Sequence, residues 1–262
     1  MINLGQIISN DKLGAIVVTV ATSLSVIPLL SKSPTIKKLN QYLSWDLILG
    51  FIAATTVSSL LVPAFKEFSH STNSSTSASL ALIITTGLGM ILIALLSSAT
   101  QYFAKLSQNR NVLLFILAIT LQNIPEGMAA GASALNLTTA NKNFLLFISI
   151  HDFLEGFGLG LSLLSMQASA LSMSLGVIFT GLVEGLSALL GAELGKNIQG
   201  FLPFMMSVAG GAMLMMAILE IKDKLALNKY YFIENKQFIM GVTIVAFINI
   251  INLEEIIYVS IN

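Results

Sequence analysis

The stretch LQNIPEGMAAG, Leu121 to Gly131, lies inside a long apolar segment, yet it carries an amide pair, a proline and an ionisable glutamate. Further along, ISIHDFLEGFGLG (Ile148 to Gly160) repeats the layout with His151, Asp152 and Glu155. Gln122 and Glu126 are four residues apart, as are His151 and Glu155; Asn123 and Glu126, like Asp152 and Glu155, are three apart. Such pairs share one face of a helix. Each segment therefore presents two rows of polar side chains that end on a common glutamate. A charged side chain at membrane depth costs about 2.5 kcal/mol or more, so each asks for a partner or a task.

The rest of the chain places these segments in a membrane. Of its 262 residues 55% are hydrophobic and 10% charged, against roughly 25% charged in a soluble domain. Its mean hydropathy is +0.85. A bilayer-spanning helix needs about 20 apolar residues. Eight segments meet that length: 13–31, 45–65, 79–99, 112–135, 143–166, 170–192, 201–221 and 238–257. The fold expected is an all-α integral membrane protein, an eight-helix bundle forming a single membrane transport domain over 1–262, with its site at the midplane. The connections are short, and the Ser/Thr-rich KEFSHSTNSSTSAS reads as a low-complexity surface loop. The N-terminal MINLGQIISNDKLG shows no basic region or cleavage site, so no cleaved signal peptide is expected.

Lys and Arg fall unevenly on alternate connections. One side holds Lys32, Lys37, Lys38, Lys105, Arg110, Lys222, Lys224, Lys229 and Lys236; the other holds Lys12, Lys66, Lys142 and Lys196. The positive-inside rule puts the first side in the cytoplasm and both termini outside it. Net charge is zero, which argues against nucleic acid as a partner. Cysteine is absent, which excludes disulfides and thiolate metal sites.

The polar residues of the fourth and fifth segments are joined by Glu184 of the sixth, in TGLVEGLSALLGA. One imidazole, several carboxylates and amide oxygens suit a hard or borderline divalent cation such as zinc, iron or manganese. Pro125 removes one backbone hydrogen bond and is expected to kink its helix, freeing the carbonyl of Leu121 beside the cluster. Gly127, Ala129, Ala130 and Gly131 follow the first polar group, and Gly156, Gly158 and Gly160 the second. Small residues let membrane helices approach closely. The glycine run has no strand before it and is no nucleotide fingerprint. A lone buried glutamate is often a plain hydrogen-bonding group; it is the repeated QN…E and HD…E layout that favours ligation. Asp46 and Glu220, near segment ends, read as solvated carboxylates, and His70 as an ordinary loop histidine.

At these residues the sequence resembles the ZIP family of divalent-metal transporters, in its GufA-like bacterial branch. QNIPEG matches that family's fourth-span HNxPEG, and HDFLEG its fifth-span motif. Glu184 matches the sixth-span glutamate, while GGAMLMMAILE and LGFIAATTVSSLLVPAF resemble the seventh- and second-span segments. The family's fourth-span His is Gln122 here, and His151 supplies an imidazole from the fifth span instead. The fifth-span proline is Leu154, and the second span reads about one turn short. The resemblance implies two metal sites: Gln122, Glu126, His151 and Glu155 in the first, and Asn123, Glu126, Asp152, Glu155 and Glu184 in the second, with both glutamates bridging. It also implies a homodimer whose first, fourth, fifth and sixth helices move against the others.

The function expected is import of a divalent metal into the cytoplasm across the cell membrane, by alternating access around a binuclear-type site. The metal, which is zinc, or else iron, manganese or cadmium, is cargo rather than cofactor. Two alternatives stand beside it. An intramembrane zinc-dependent hydrolase could use the same side chains, though HExxH is absent and His151 is the sole histidine inside a segment. A proton- or sodium-coupled carrier of an organic substrate would need fewer convergent ligands. No enzymatic activity is expected.

Overall fold

The computed structural model describes residues 10–31, 45–104, 108–227, 230 and 235–247. Among them there is no strand. The helices are α1 (Asn10–Leu24), α2 (Val26–Leu30), α3 (Trp45–Thr55), α4 (Val62–Thr72), α5 (Ser75–Ala104), α6 (Gln108–Ala134), α7 (Thr139–Ser165), α8 (Ala170–Asn197) and α9 (Phe201–Leu227). A shorter apolar helix, α10, spans Lys236–Phe247. A π-helical segment, Thr56–Leu61, joins α3 to α4.

Six helical runs among the described residues are long and apolar enough to cross a membrane: α1 with α2, α3 through α4, α5, α7, α8 and α9. The expected fourth segment is carried by α6, a helix of 27 residues with Pro125 inside it. The expected eighth runs to 257, beyond the described residues. So do several of the cations used to assign orientation, Lys32, Lys37, Lys38, Lys105 and Lys229 among them.

Two sequence expectations are corrected. The Ser/Thr-rich loop is nearly all helix: α4 runs to Thr72 and α5 starts at Ser75. Its hydroxyls bond back to carbonyls of the preceding turn. Ser71 and Thr72 donate to Phe68 O at 3.0 and 2.8 Å, and Ser79 to Ser75 O at 2.8 Å. Such back-bonding lets Ser and Thr sit in a helix. The turn itself is carried by Asn73 in the left-handed region (φ 49°), a conformation asparagine tolerates. The second span is also not short, since helix continues from Asp46 to Thr72 through the π segment.

Helix starts follow the side chains. Thr138 accepts from the Asn141 amide at 3.2 Å to open α7, and Ser169 from Ser172 at 3.1 Å to open α8; each satisfies an amide that the helix cannot. Between α1 and α2 the chain breaks at Ser25, whose amide and hydroxyl both reach Thr22 O, at 3.2 and 2.6 Å.

Packing relies on glycine. A Cβ on Gly131 of α6 would strike the Ala188 carbonyl of α8, and one on Gly191 of α8 would strike the Met128 carbonyl of α6. The same reciprocal contact joins α5 and α9 through Gly89 and Gly211, and α3 and α10 through Gly50 and Gly241. With no water to expel between helices in lipid, such backbone approach is how they gain van der Waals contact.

The inner unit is α1, α6, α7 and α8. Along these helices and α2 an apolar cluster containing Val26, Ile119, Leu159, Leu163, Met173 and Val177 lies on one side. A second, with Ala15, Val18, Ala129, Ala130, Ile148 and Ala188, lies on the other. Between them each of the four helices contributes buried polar side chains: Thr22 from α1, Gln122, Asn123 and Glu126 from α6, His151, Asp152 and Glu155 from α7, and Glu184 from α8.

Candidate metal centre

That intervening layer holds every site residue the sequence reading singled out. Gln122, Asn123 and Glu126 come from α6, His151, Asp152 and Glu155 from α7, and Glu184 from α8; all are at most 4% exposed. Helical periodicity turns the ligand rows inward, and the glycines of α6 and α8 bring the backbones near enough for the rows to meet. A Cβ on Gly127 would touch the carbonyl of Glu184 itself.

The acids form two groups. One oxygen of Glu126, a ring nitrogen of His151 and one oxygen of Glu155 lie within 4.8 Å of one another, and so do oxygens of Glu126, Asp152 and Glu184. Glu126 is common to both. The resemblance implies that Glu155 also bridges; in the structure it stands with His151. His151 Nε2 is 3.5 Å from Glu126 Oε2 and 3.4 Å from Glu155 Oε2. Ligands about 2.1 Å from a tetrahedral zinc are separated by about 3.4 Å.

Hydrogen bonding leaves much of the layer unsatisfied. Gln122 Nε2 donates to Glu155 Oε1, which leaves the amide oxygen of Gln122 without a partner. Both carboxyl oxygens of Glu126 and of Asp152, both ring nitrogens of His151, and Oε1 of Glu184 likewise have no hydrogen-bond partner among the described residues. Leaving one buried polar atom unpaired costs about 1–3 kcal/mol, more if charged. A convergent set of such atoms could be satisfied by an ion or by water.

One contributor was missed in the sequence. Thr22 of α1 is 1% exposed, and its hydroxyl donates to Glu184 Oε2 at 2.8 Å. The available signal was weak: Thr19, Thr22 and Ser23 lie on one face of an apolar segment, but Ser and Thr are common in membrane helices. Of the three residues set aside, His70 is exposed at the end of α4, and Asp46 and Glu220 are partly buried.

A small cavity touches the layer from the side of α3, the π segment and α9. It is bordered by Thr55, Ser59, Phe147, His151 and Met213.

No protein-family model matches the chain. It is 35% identical over 105 residues to a protein of Myxococcus xanthus named zinc transporter GufA; the match covers 40% of this chain and 41% of that protein. The relative's name, GufA, is that of the bacterial branch whose motifs the sequence resembles.

Proposed function

We propose that the chain is a GufA-like member of the ZIP family and a transmembrane carrier of divalent metal cations, zinc foremost, working as a single transport domain. The reading rests on one observation above all. Two ligand groups meet on Glu126, buried between apolar layers, with His151 and two carboxylates spaced as ligands of one small dication. Gln122, Glu126, His151 and Glu155 would hold one ion. Asn123, Glu126, Asp152 and Glu184, with Glu155 alongside, would hold another or a waypoint for the same one.

Transport follows from where the layer sits. Apolar clusters close it on both sides, so an ion reaches it only if one side opens at a time, which is alternating access. Glycine-flattened contacts between α1, α6 and α8 would let these helices move as one unit. The unpaired acceptors replace the water an ion loses, and closure keeps lipid away from it. Import into the cytoplasm, a cell-membrane location with both termini outside, and a homodimer complete the proposal.

The test is uptake of radiolabelled zinc into liposomes carrying the purified protein. Wild type accumulates the metal; Glu126→Ala and Glu155→Ala incorporate equally and lose at least 100-fold of the rate, since each removes a ligand, and outer-shell losses alone cost about 10–100-fold. Wild-type rates in both variants would sink the assignment.

A further inference from the structure

We propose that Thr22 sets the metal preference of the site: by binding one oxygen of Glu184, it restricts that glutamate to ligation through its other oxygen. This rests on the reading of Glu184 as a metal ligand.

Three observations carry it. First, the two oxygens of Glu184 are unlike. Oε2 accepts from the Thr22 hydroxyl at 2.8 Å, whereas Oε1 has no hydrogen-bond partner among the described residues. Hydrogen bonds to a carboxylate are about twice as strong as neutral ones. The same hydroxyl also lies 3.0 Å from the Val18 carbonyl; once Glu184 is ionised as a metal ligand, its carboxylate is the stronger claimant for that single proton.

Second, Thr22 is held in place by its surroundings. It stands just before the break between α1 and α2, and its carbonyl takes both the amide and the hydroxyl of Ser25. α1 is pressed against α7 and α8 where those helices have only glycine. A Cβ on Gly156 would lie 2.9 Å from the Thr22 carbonyl oxygen, one on Gly181 would lie 3.0 Å from the Thr22 Cβ, and one on Gly185 would meet the hydroxyl of Thr19. These contacts hold the backbone and Cβ of Thr22 beside Glu184.

Third, Thr22 is the partner of the all-oxygen group, Glu126, Asp152 and Glu184. Oxygen ligands alone do not distinguish zinc from larger hard cations. Coordination number does: zinc takes about four ligands, with a carboxylate oxygen at about 2.0–2.2 Å, whereas larger cations take six or more and accept both oxygens of one carboxylate. Holding back Oε2 keeps the ligand count low and favours the smaller ion.

The experiment measures zinc and manganese competing for the purified full-length protein by equilibrium dialysis, with zinc uptake in liposomes beside it. The variants are Thr22→Val, Thr22→Ser and Glu184→Gln. Thr22→Val is expected to shift the manganese-to-zinc binding ratio about tenfold toward manganese, the lower end of what losing an outer-shell partner does, and to raise the half-saturating zinc concentration more than it lowers the maximal rate. Thr22→Ser keeps a hydroxyl and retains the wild-type ratio. An unshifted ratio in Thr22→Val, with Glu184→Gln impaired, would overturn the role of Thr22 alone. Unimpaired metal binding in Glu184→Gln would overturn the reading of Glu184 and this proposal with it. A shift in Thr22→Ser equal to that of valine would assign Thr22 to packing and overturn the proposal too. Should Thr22→Val not fold by its melting curve, Thr22→Ala is read in the same way.

Discussion

The half of the polar layer around His151 and the half around Glu184 share Glu126 and otherwise differ in chemistry. On the first side an imidazole faces two carboxylates, and Gln122 ties Glu155 from the neighbouring helix. On the second the grouped atoms are all carboxylate oxygens, and the tie comes from Thr22 on α1. Both halves nevertheless arise from the same two short motifs. Adjacent residues on a helix point about 100° apart. Gln122 and His151 therefore aim to one side, and Asn123 and Asp152 to the other. A dipeptide on each of two helices, joined by Glu184 from α8, sets unlike side chains on the two sides of one shared acid.

Removing one half at a time is the strongest way to break this comparison. His151→Ala should cost zinc binding at least about 100-fold, more than the loss of an outer-shell partner, while manganese binding falls much less, because carboxylate oxygen suits manganese. Asp152→Ala, which removes only oxygen ligands, should weaken both metals without the zinc-selective loss of His151→Ala. Equal losses of both metals in both variants, measured by equilibrium dialysis, would mean that the halves are one site.

Gln122→His sharpens the contrast by adding a second imidazole to the first half. Zinc preference over manganese should rise about tenfold, as imidazole suits the former. An unchanged ratio would show that residue 122 does not touch the ion.

The smallest effect on the ratio is expected from Gly131→Val, which acts on both halves alike. Its side chain would press on the Ala188 backbone and cost about 1–3 kcal/mol of stability, as overpacking does. The melting temperature should fall with no change in metal preference. A shifted preference would show that the spacing of α6 and α8 tunes the ligands directly.

The helical fold was legible because apolar runs and buried charge leave few alternatives in lipid, where every backbone group must be bonded within the helix. Segment limits were less legible. Hydropathy ends at Phe65, yet helix continues to Thr72, because Ser71 and Thr72 bond their own preceding turn. Similarly, GAELGKN continues α8 to Asn197, although its polarity reads as a connection. Hydropathy reports where lipid is expected, and the backbone does not stop there.

Which polar residues would gather was written in the sequence itself: QNIPE and HDFLE repeat at helical spacing, and periodicity alone puts each set on one face. Neither motif says which carboxylate reaches both groups, or that a threonine from α1 holds Glu184. Those depend on how closely three helices from distant parts of the chain approach, and that distance is set by glycines meeting backbone across the interfaces. Spacing along one helix is local and can be read from the order of residues. Contact between helices is a property of the packed whole, and only the tertiary structure decided it.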